Sequence, residues 1–403
     1  MVGRRARTRA PWGGNLRHLW INARYATLPP MHTLIFTGPA GAAATVAAAT
    51  AAAAAAGGAR TLLASIGPSH PLGALVAAVP GPDPQPLAPR LDAWLLDPIT
   101  NLASLWGALP GLAGGKVVGD ELPLIPGGDL FLAVARLRTL APNYDLACVD
   151  AGPPDGLLRA LGVPDTFRWM VRLLLGLDRG PGRSSASVAR AIIPTGLIPF
   201  PMEWTGNLQE ARVRLEQLRD ETVAPGNASV RYVLRPDRAG LEEARVALPA
   251  LQLFGLAVER IVAGPLLPAV PGLEALRAEA DATLAETAAT WPTLPLLRLA
   301  AAATPASLAA LAAQGDALYA DVSPIPGAEL AAPVRLVGPP APAVALDLPG
   351  LPREQLGLTL SGDELIVRVG PYRRHLLLPD GLRGVSAIKA SKQGDTLLVQ
   401  PRA

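Results

Sequence analysis

The sequence predicts an α/β protein: a doubly wound, mostly parallel sheet with a helical insertion, followed by a small C-terminal all-β sandwich. Buried-strand patterns alternate with helices from Met31 to about Val337, which is typical of a parallel sheet. Residues 157–218 are helical in pattern, and a period-two pattern takes over near the end of the chain. Half of the 403 residues are hydrophobic and 17% are charged, so two or three packed domains are expected.

The first strand, helix and strand form a predicted βαβ unit. The stretch "HTLIFTG" (32–38) is apolar without alternation, as in a parallel strand that is buried on both faces. A helix is expected from Ala42 to Ala56, because Gly57 and Gly58 would end it. The stretch "ARTLLASIG" (59–67) then returns the chain to the sheet as the next strand.

Three later stretches continue the sheet. "YDLACVDAG" (144–152) and "SVRYVLRP" (229–236) are predicted as buried strands, and "AVERIVAGPLLP" (257–268) as a further strand and loop after a helix at 241–255. The carboxyl ends of parallel strands form the ligand-binding edge of such a sheet. We therefore expect Asp150, near the end of the first of these stretches, to lie at that edge.

A change of composition precedes the C-terminal domain. Residues 330–345 are rich in proline and alanine and poor in charge, which suits a linker. "ELIVRVGPYRRHLLLP" and "VSAIKASKQGDTLLVQ", which follow, alternate with period two, as in an all-β module of about 60 residues. The predicted domains are a flexible basic extension, the α/β domain with its helical part, and the β-sandwich, at 1–30, 31–337 and 338–403.

The formal net charge of +3 depends on the N-terminal segment. Residues 1–30 contain six arginines and no acid, so the remaining chain carries −3, and we expect no nucleic-acid partner. The segment is interpreted either as a flexible extension or as an incorrectly assigned start, with Met31 as the natural first residue. A signal peptide or membrane span at 31–59 is the alternative, although "GPAG" interrupts it and alanine is barely hydrophobic enough to insert.

Cysteine usage excludes several classes of site. Cys148 is the only cysteine, so no disulfide within the chain and no CxxC zinc or redox pair can form. We interpret Cys148 as a core residue of its strand and expect a cytoplasmic protein without an integral membrane span. The four histidines are scattered along the chain, so no metal site is expected.

Several stretches follow one another in an order that resembles a known family. They are "LDAWLLDPITNLASLW" (91–106), "ELPLIPGGDLFLAVARLRTLAPNYDLACVDAGPPDGLLRALGVPDTFRWMVRLL" (121–174), "VLRPDRAGLEEARVALPALQLFGLAVERIVAGPLLP" (233–268) and "LAALAAQGDALY" (308–319). Together they resemble the arsenite-pump (ArsA) ATPase family, which includes the ATPases that target tail-anchored membrane proteins. "DLPGLPREQLGLTLSGDELIVRVGPYRRHLLLPDGL" (347–382) resembles the small heat-shock (α-crystallin-like) module of some members.

The resemblance implies a P-loop NTPase fold that binds ATP and Mg²⁺ and dimerises across the nucleotides. Hydrolysis in the family is coupled to domain closure. Client proteins or oxyanions bind to helices near the switch II segment. The amphipathic stretch "DTFRWMVRLLLGL" (165–177) is accordingly either a client groove or ordinary core packing. Arsenite transport has little support in the sequence, because arsenite coordination favours cysteine thiolates and the chain has one cysteine.

The phosphate loop departs from the family pattern. The family reads "GKGGVGKTT", whereas this chain reads "GPAGAAATV" (38–46), in which Gly38, Gly41 and Thr45 match. Both lysines are missing, and no lysine precedes Lys116. Arg60 lies beyond the far end of the helix, about 20 Å from the loop at 1.5 Å per residue, so it is not expected to replace them.

The two switch segments are also altered. In "ASIGPSHPL" (64–72), Gly67 stands where the family has the aspartate that orients the attacking water, while Pro68 and His70 match. His70 is either a replacement base or a structural loop histidine.

Asp150 matches the family's Mg²⁺-holding aspartate, and Pro153, Leu158, Arg159 and Leu161 match nearby. It either holds Mg²⁺ through water or caps the following turn.

A fourth contact is missing where the family's adenine-reading asparagine has become Ala263. Loss of both lysines, the catalytic aspartate and this amide predicts a pseudo-ATPase without a cofactor, acting as a protein-binding, targeting or regulatory subunit. Its expected partner is a protein or hydrophobic client, in a homodimer or with an active paralogue. The alternatives are an active ATPase that uses ATP and Mg²⁺ at a rearranged site, and a holdase that acts through the β-module.

Overall fold

The computed structural model describes residues 31–402 except 40, 68–70, 98, 101–126, 175–203, 302–306, 328–329, 339, 341 and 386. Its helices are α1 Ala42–Ala56, α2 Pro71–Val76, α3 Gly128–Leu140, α4 Pro154–Leu174, α5 Trp204–Val223, α6 Arg238–Leu253, α7 Glu274–Thr290 and α8 Leu308–Leu318. The strands of its large sheet are β1 His32–Thr37, β2 Thr61–Ser65, β3 Gln85–Ala88, β4 Leu91–Leu95, β5 Leu146–Asp150, β6 Ala228–Leu234, β7 Val258–Leu266 and β8 Leu296–Ala300.

The large sheet has eight strands in the order β3-β4-β2-β5-β1-β6-β7-β8. Every neighbouring pair is parallel except β3 with β4. The order reverses around β1, since the chain moves outward to one side through β2 and to the other through β6. Helices α1, α2 and α8 pack on one face, and α3, α4, α6 and α7 on the other, so the predicted doubly wound α/β fold is confirmed.

Helix α1 carries almost no side chain larger than alanine. Twelve of its fifteen residues are buried, because alanine lets the sheet and α8 approach the helix closely. A Cβ atom added at Gly315 of α8 would lie 2.3 Å from the carbonyl oxygen of Ala49. The predicted βαβ unit is therefore formed, with α1 buried between the sheet and α8.

The C-terminal region forms two antiparallel sheets. One has the order β14-β15-β10-β9 and the other β11-β12-β13. The strands are β9 Val334–Val337, β10 Ala343–Asp347, β11 Leu356–Ser361, β12 Glu364–Val369, β13 Tyr372–Leu377, β14 Ile388–Gln393 and β15 Thr396–Pro401. This region, here called the β-module, confirms the all-β architecture that the period-two pattern predicts.

The β-module and the α/β domain share one hydrophobic core. Its buried leucines and valines belong to the same continuous apolar cluster as buried residues of β1, α3, α4 and α6. Trp291, directly after α7, donates its indole N–H to the carbonyl of Pro349 at 3.1 Å. A Cβ atom added at Gly350 would lie 2.7 Å from that indole nitrogen, so the two parts fit closely.

Several elements of the α/β domain go beyond what the sequence patterns predict. Strand β4 lies inside the stretch 91–106, whose only sequence signal is its resemblance to a family signature, and β3 precedes it as an antiparallel edge strand. Strand β8 and the helix before it, α7, add a further strand and helix at the other end of the sheet.

Candidate functional site: the loop between β1 and α1

The loop that corresponds to the family's phosphate loop lies at the carboxyl end of β1. Strand β1 is the strand around which the strand order reverses. The register of β1 places Phe36 opposite Asp150 on one side and Arg231 of β6 on the other. Gly38, which follows β1, therefore lies next to the ends of β5 and β6. This is the edge at which α/β sheets bind ligands.

Gly38 is held by close contact with β6. Its φ is +152°, and a Cβ atom added there would lie 2.3 Å from the carbonyl oxygen of Val233. Gly41, which precedes α1, has a φ of +82° with nothing within 4 Å of an added Cβ. Packing thus requires glycine at the first position, and backbone conformation favours it at the second.

Thr45 directs its hydroxyl back into its own helix. The hydroxyl donates to the carbonyl of Gly41 at 2.9 Å, and the Thr45 amide donates to the same oxygen at 3.0 Å. This is the back-bonding that threonine commonly makes within helices. In this arrangement the hydroxyl proton is already committed.

Asp150 is 2% exposed at the end of β5. Its carboxylate accepts the Gly152 amide at 3.1 Å and the Ser65 hydroxyl at 3.3 Å. Burial raises the pKa of Asp150 above its ordinary value, and the two hydrogen bonds only partly offset this. The Gly152 contact is that of a strand-end aspartate that caps the following turn.

The loop that follows Asp150 is hydrogen-bonded to the β1–α1 loop. The carbonyl of Gly152 accepts the Thr37 hydroxyl at 2.8 Å and the Gly38 amide at 3.2 Å. The carbonyl of Asp150 accepts the Ile66 amide at 3.0 Å, which joins the end of β2 to the same edge. Pro68 and His70 lie outside the described residues.

Arg60 lies at the opposite edge of the sheet. It precedes β2 and pairs with Asp145, which precedes β5, with Nη2 2.5 Å from Oδ1. Neither residue is near the end of β5 where Asp150 lies. Ala263 is fully buried in β7, and the residue after it, Gly264, packs against Leu299 of β8.

The remaining candidate residues are buried in the core or form hydrogen bonds that stabilise the fold. His32 contacts the Gly226 carbonyl and the Ser229 hydroxyl, and burial lowers its pKa. Cys148 is fully buried, which raises its pKa to about 12. Asp97 accepts the backbone amides of Ile99 and Thr100, as in a turn. Among the residues that the structure describes, no group of three or more His, Cys, Asp or Glu side chains could hold a metal ion.

One buried charge had no sequence signal. Arg231 of β6 is fully buried, with Nε 2.5 Å from Glu259 Oε1 and Nη1 2.8 Å from the Tyr319 hydroxyl. That hydroxyl also bonds Thr50 of α1 at 2.6 Å. The partners of Arg231 lie 28 and 88 positions away, so period-based interpretation of "SVRYVLRP" could not find them.

The second half of helix α4 buries two charged side chains and exposes two large apolar ones. Asp165 and Arg168 are 6% and 4% exposed, whereas Trp169 and Met170 are 51% and 42% exposed. Val213 of the neighbouring α5 is also exposed. Asp165 and Arg168 therefore pack through ion pairs, whereas Trp169 and Met170 face outward.

A glycine loop after the first strand, a buried helix behind it and an aspartate at the end of the adjacent strand define a P-loop-like α/β protein. Comparison with known proteins specifies the family. The profile described as "Anion-transporting ATPase" matches residues 31–285, and the "HSP20-like domain found in ArsA" matches 342–400. The chain belongs to the ArsA family of anion-transporting ATPases, and its β-module is the HSP20-like domain.

Several relatives support this membership. "Uncharacterized protein SCO2128" of Streptomyces coelicolor is 34% identical over 92% of this chain and 97% of its own length. "Protein Rv2184c" of Mycobacterium tuberculosis is 27% identical over 85% and 89%. A "Putative arsenical pump-driving ATPase" of Prosthecochloris vibrioformis is 25% identical over 59% of this chain and 62% of its own length. The chain thus spans less than two thirds of that last protein.

Over the described part of the chain, no helix combines the length and the apolar character needed to cross a bilayer.

Proposed function

We propose that this chain is a non-catalytic member of the ArsA family, a pseudo-ATPase that binds a protein partner. The observation that carries the proposal is the absence of lysine from the loop between β1 and α1, where the resemblance expects two. The Thr45 hydroxyl donates to Gly41, and the Asp150 carboxylate accepts from Gly152 and Ser65. Both groups keep oxygen lone pairs, so the case against Mg²⁺–ATP depends on the missing lysines.

The loop also lacks the positive charge that a bound triphosphate would need. A triphosphate carries several negative charges, and the first lysine of the chain is Lys116. A charged hydrogen bond to phosphate in a partly buried site contributes roughly a few kcal/mol, or about two powers of ten in affinity. Arg60 does not replace it, because Arg60 pairs with Asp145 at the other edge of the sheet. The residues that are present therefore fit Mg²⁺–ATP poorly.

Isothermal titration of the full chain with ATP or ADP, with and without MgCl₂, tests the proposal. We expect no saturable heat at millimolar nucleotide. Tight, Mg²⁺-dependent binding that Asp150→Ala abolishes would overturn the pseudo-ATPase and favour the alternative, an active ATPase with a rearranged site. The retained Asp150 at the end of β5 is the observation that favours this alternative.

The proposed partner is a protein or a hydrophobic client segment, bound on the outer face of α4 and α5. Trp169, Met170 and Val213 expose apolar area there, and exposed apolar patches commonly mark interaction sites. A fluorescently labelled, leucine-rich peptide serves as the probe. Trp169→Gln with Met170→Gln should weaken its binding, whereas Leu276→Gln, at an equally exposed position on α7, should leave it unchanged. Equal loss in both variants would remove this surface from the proposal.

The proposed assembly is a cytoplasmic homodimer, or a heterodimer with an active paralogue. Family membership supports it. Analytical ultracentrifugation of the purified chain over a range of concentrations tests the homodimer directly, and a monomer at every concentration would restrict the proposal to the heterodimer.

A further inference from the structure

Strand β13 of the β-module contacts helix α4 at two points. Near the start of the helix, the Tyr372 hydroxyl donates to the carboxylate of Asp155. Thirteen residues further along the helix, Arg168 donates to the carbonyl of His375 at 2.9 Å and pairs with Glu364 of β12 at 3.2 Å. The β12–β13 hairpin therefore holds α4 near its beginning and again beyond its middle.

The first of these contacts is closely connected to the candidate site. Four residues separate Asp150 from Asp155: Ala151, which is buried, then Gly152, Pro153 and Pro154. The two prolines have fixed φ, so a displacement of the helix is passed on to Gly152, the residue before them, whose backbone has more freedom. A shift at Asp155 is thus expected to move Gly152.

Gly152 in turn joins two loops of the site. Its amide bonds the Asp150 carboxylate, and its carbonyl accepts the Thr37 hydroxyl and the Gly38 amide. A displacement of Gly152 must lengthen at least one of these bonds. The chain of contacts is continuous from Tyr372 to Gly38.

We propose that the β-module sets the position of α4 and thereby couples, through Tyr372 and Asp155, to the loop between β1 and α1. The coupling acts in both directions, because a free energy of interaction between two sites is reciprocal. It goes beyond the proposed function, since it holds whether or not the loop binds a nucleotide. It makes the β-module an internal regulator of this loop.

Packing elsewhere on the β-module provides a matched control. Trp291 also anchors the module through a single hydrogen bond, to Pro349, but it follows α7 and makes no hydrogen bond with the described part of α4. Tyr372→Phe and Trp291→Phe each remove one aromatic donor between the module and the α/β domain. Only the first of them touches the path to Gly152.

Hydrogen exchange of the full chain, resolved to single amides by NMR, tests the coupling. Each rate is referenced to the most protected amides of β7, so that a global loss of stability cancels. Tyr372→Phe removes a hydrogen bond to a charged group at a solvent-exposed position, where such a bond contributes less than a buried one. If that loss appears at the loop, exchange of the Gly38 and Gly152 amides should become about threefold faster, which corresponds to about 0.7 kcal/mol. Trp291→Phe should leave these referenced rates unchanged.

The reverse experiment uses Asp150→Ala. It should speed exchange along β13, at Tyr372 and the residues after it, relative to β7. Faster exchange confined to β13 in Tyr372→Phe, or equal effects of Tyr372→Phe and Trp291→Phe at Gly38, would overturn the proposal.

Discussion

Arg168 of α4 and Glu364 of β12 form an ion pair of 3.2 Å, although the side chains are only 4% and 7% exposed. The pair joins the α/β domain to the β-module in a region from which water is excluded. Arg168 also contacts Glu216 of α5 at 3.0 Å, and Asp165 pairs with Arg219 at 2.6 Å. Charges in such a network interact more strongly than exposed ones, but each depends on its partners.

A double-mutant cycle measures this dependence. Arg168→Met, Glu364→Gln and the double variant should give a coupling energy of about 1–3 kcal/mol in urea unfolding, because the pair is buried and networked. The i,i+4 pair of Glu210 and Arg214 on the exposed side of α5 is the control, with an expected coupling of about 0.3–0.5 kcal/mol. Equal couplings would show that burial adds nothing to the interaction.

The β-module should unfold together with the α/β domain. Leu346→Ala removes a fully buried side chain from the shared core and should cost about 2–5 kcal/mol. Leu336→Ala, at a 55% exposed position of β9, should change stability by about 0.5 kcal/mol or less. Calorimetry should show one transition that Leu346→Ala shifts as a whole. Two transitions, of which only the smaller moves, would contradict the shared core.

Asp150 should make the protein less stable as pH rises. Its folded pKa is raised by burial, so the folded state holds the proton more tightly than the unfolded state, whose pKa is about 3.9. Stability is therefore greatest below that pKa and falls as pH rises towards the folded value. Asp150→Asn should therefore be more stable than the wild type at pH 7 and no more stable than it near pH 3.5.

Asp145 provides a control of opposite sign. The hydrogen bonds from Arg60 lower its pKa, so its contribution is present at neutral pH and lost as pH falls through the folded pKa. Urea midpoints of both Asn variants between pH 3.5 and 7 measure the two trends. A wild-type midpoint that tracks Asp150→Asn at every pH would refute the raised pKa.

The glycines of the β1–α1 loop should differ in their tolerance of a side chain. Gly38→Ala places a Cβ 2.3 Å from the Val233 carbonyl and adds strain at positive φ, whereas Gly41→Ala adds only conformational strain of about 1–2 kcal/mol. The first variant should be the less stable by about 2 kcal/mol or more, as measured by thermal unfolding. Equal costs would mean that β6 can move away from the loop.

The fold class could be predicted because apolar runs typical of buried strands alternate along the chain with helical patterns, as they do in βαβ units. The strand that ends at Asp150 is placed correctly for the same reason. Strand β3 escapes prediction because it is four residues long and contains Pro86, and β4 because Asp92 interrupts its apolar run. A short edge strand carries too few residues for its period to be distinguished.

The surroundings of the site were less predictable, because they depend on distant partners. Hydrophobicity alone suggests that Trp169 is buried and Arg168 exposed, whereas the structure has the reverse. Arg168 is buried because Glu364, almost two hundred residues later, lies against it. A pattern within one helix cannot contain that information.

Helix α1 has a consequence for how this protein tolerates change. A low-complexity alanine sequence would ordinarily indicate a segment that tolerates many substitutions. Yet the residues from Ala43 to Ala55 are almost all buried, and Gly315 of α8 lies against the backbone of Ala49. Larger side chains have no room there. In a deep mutational scan, the simplest stretch of this sequence should be among its least variable.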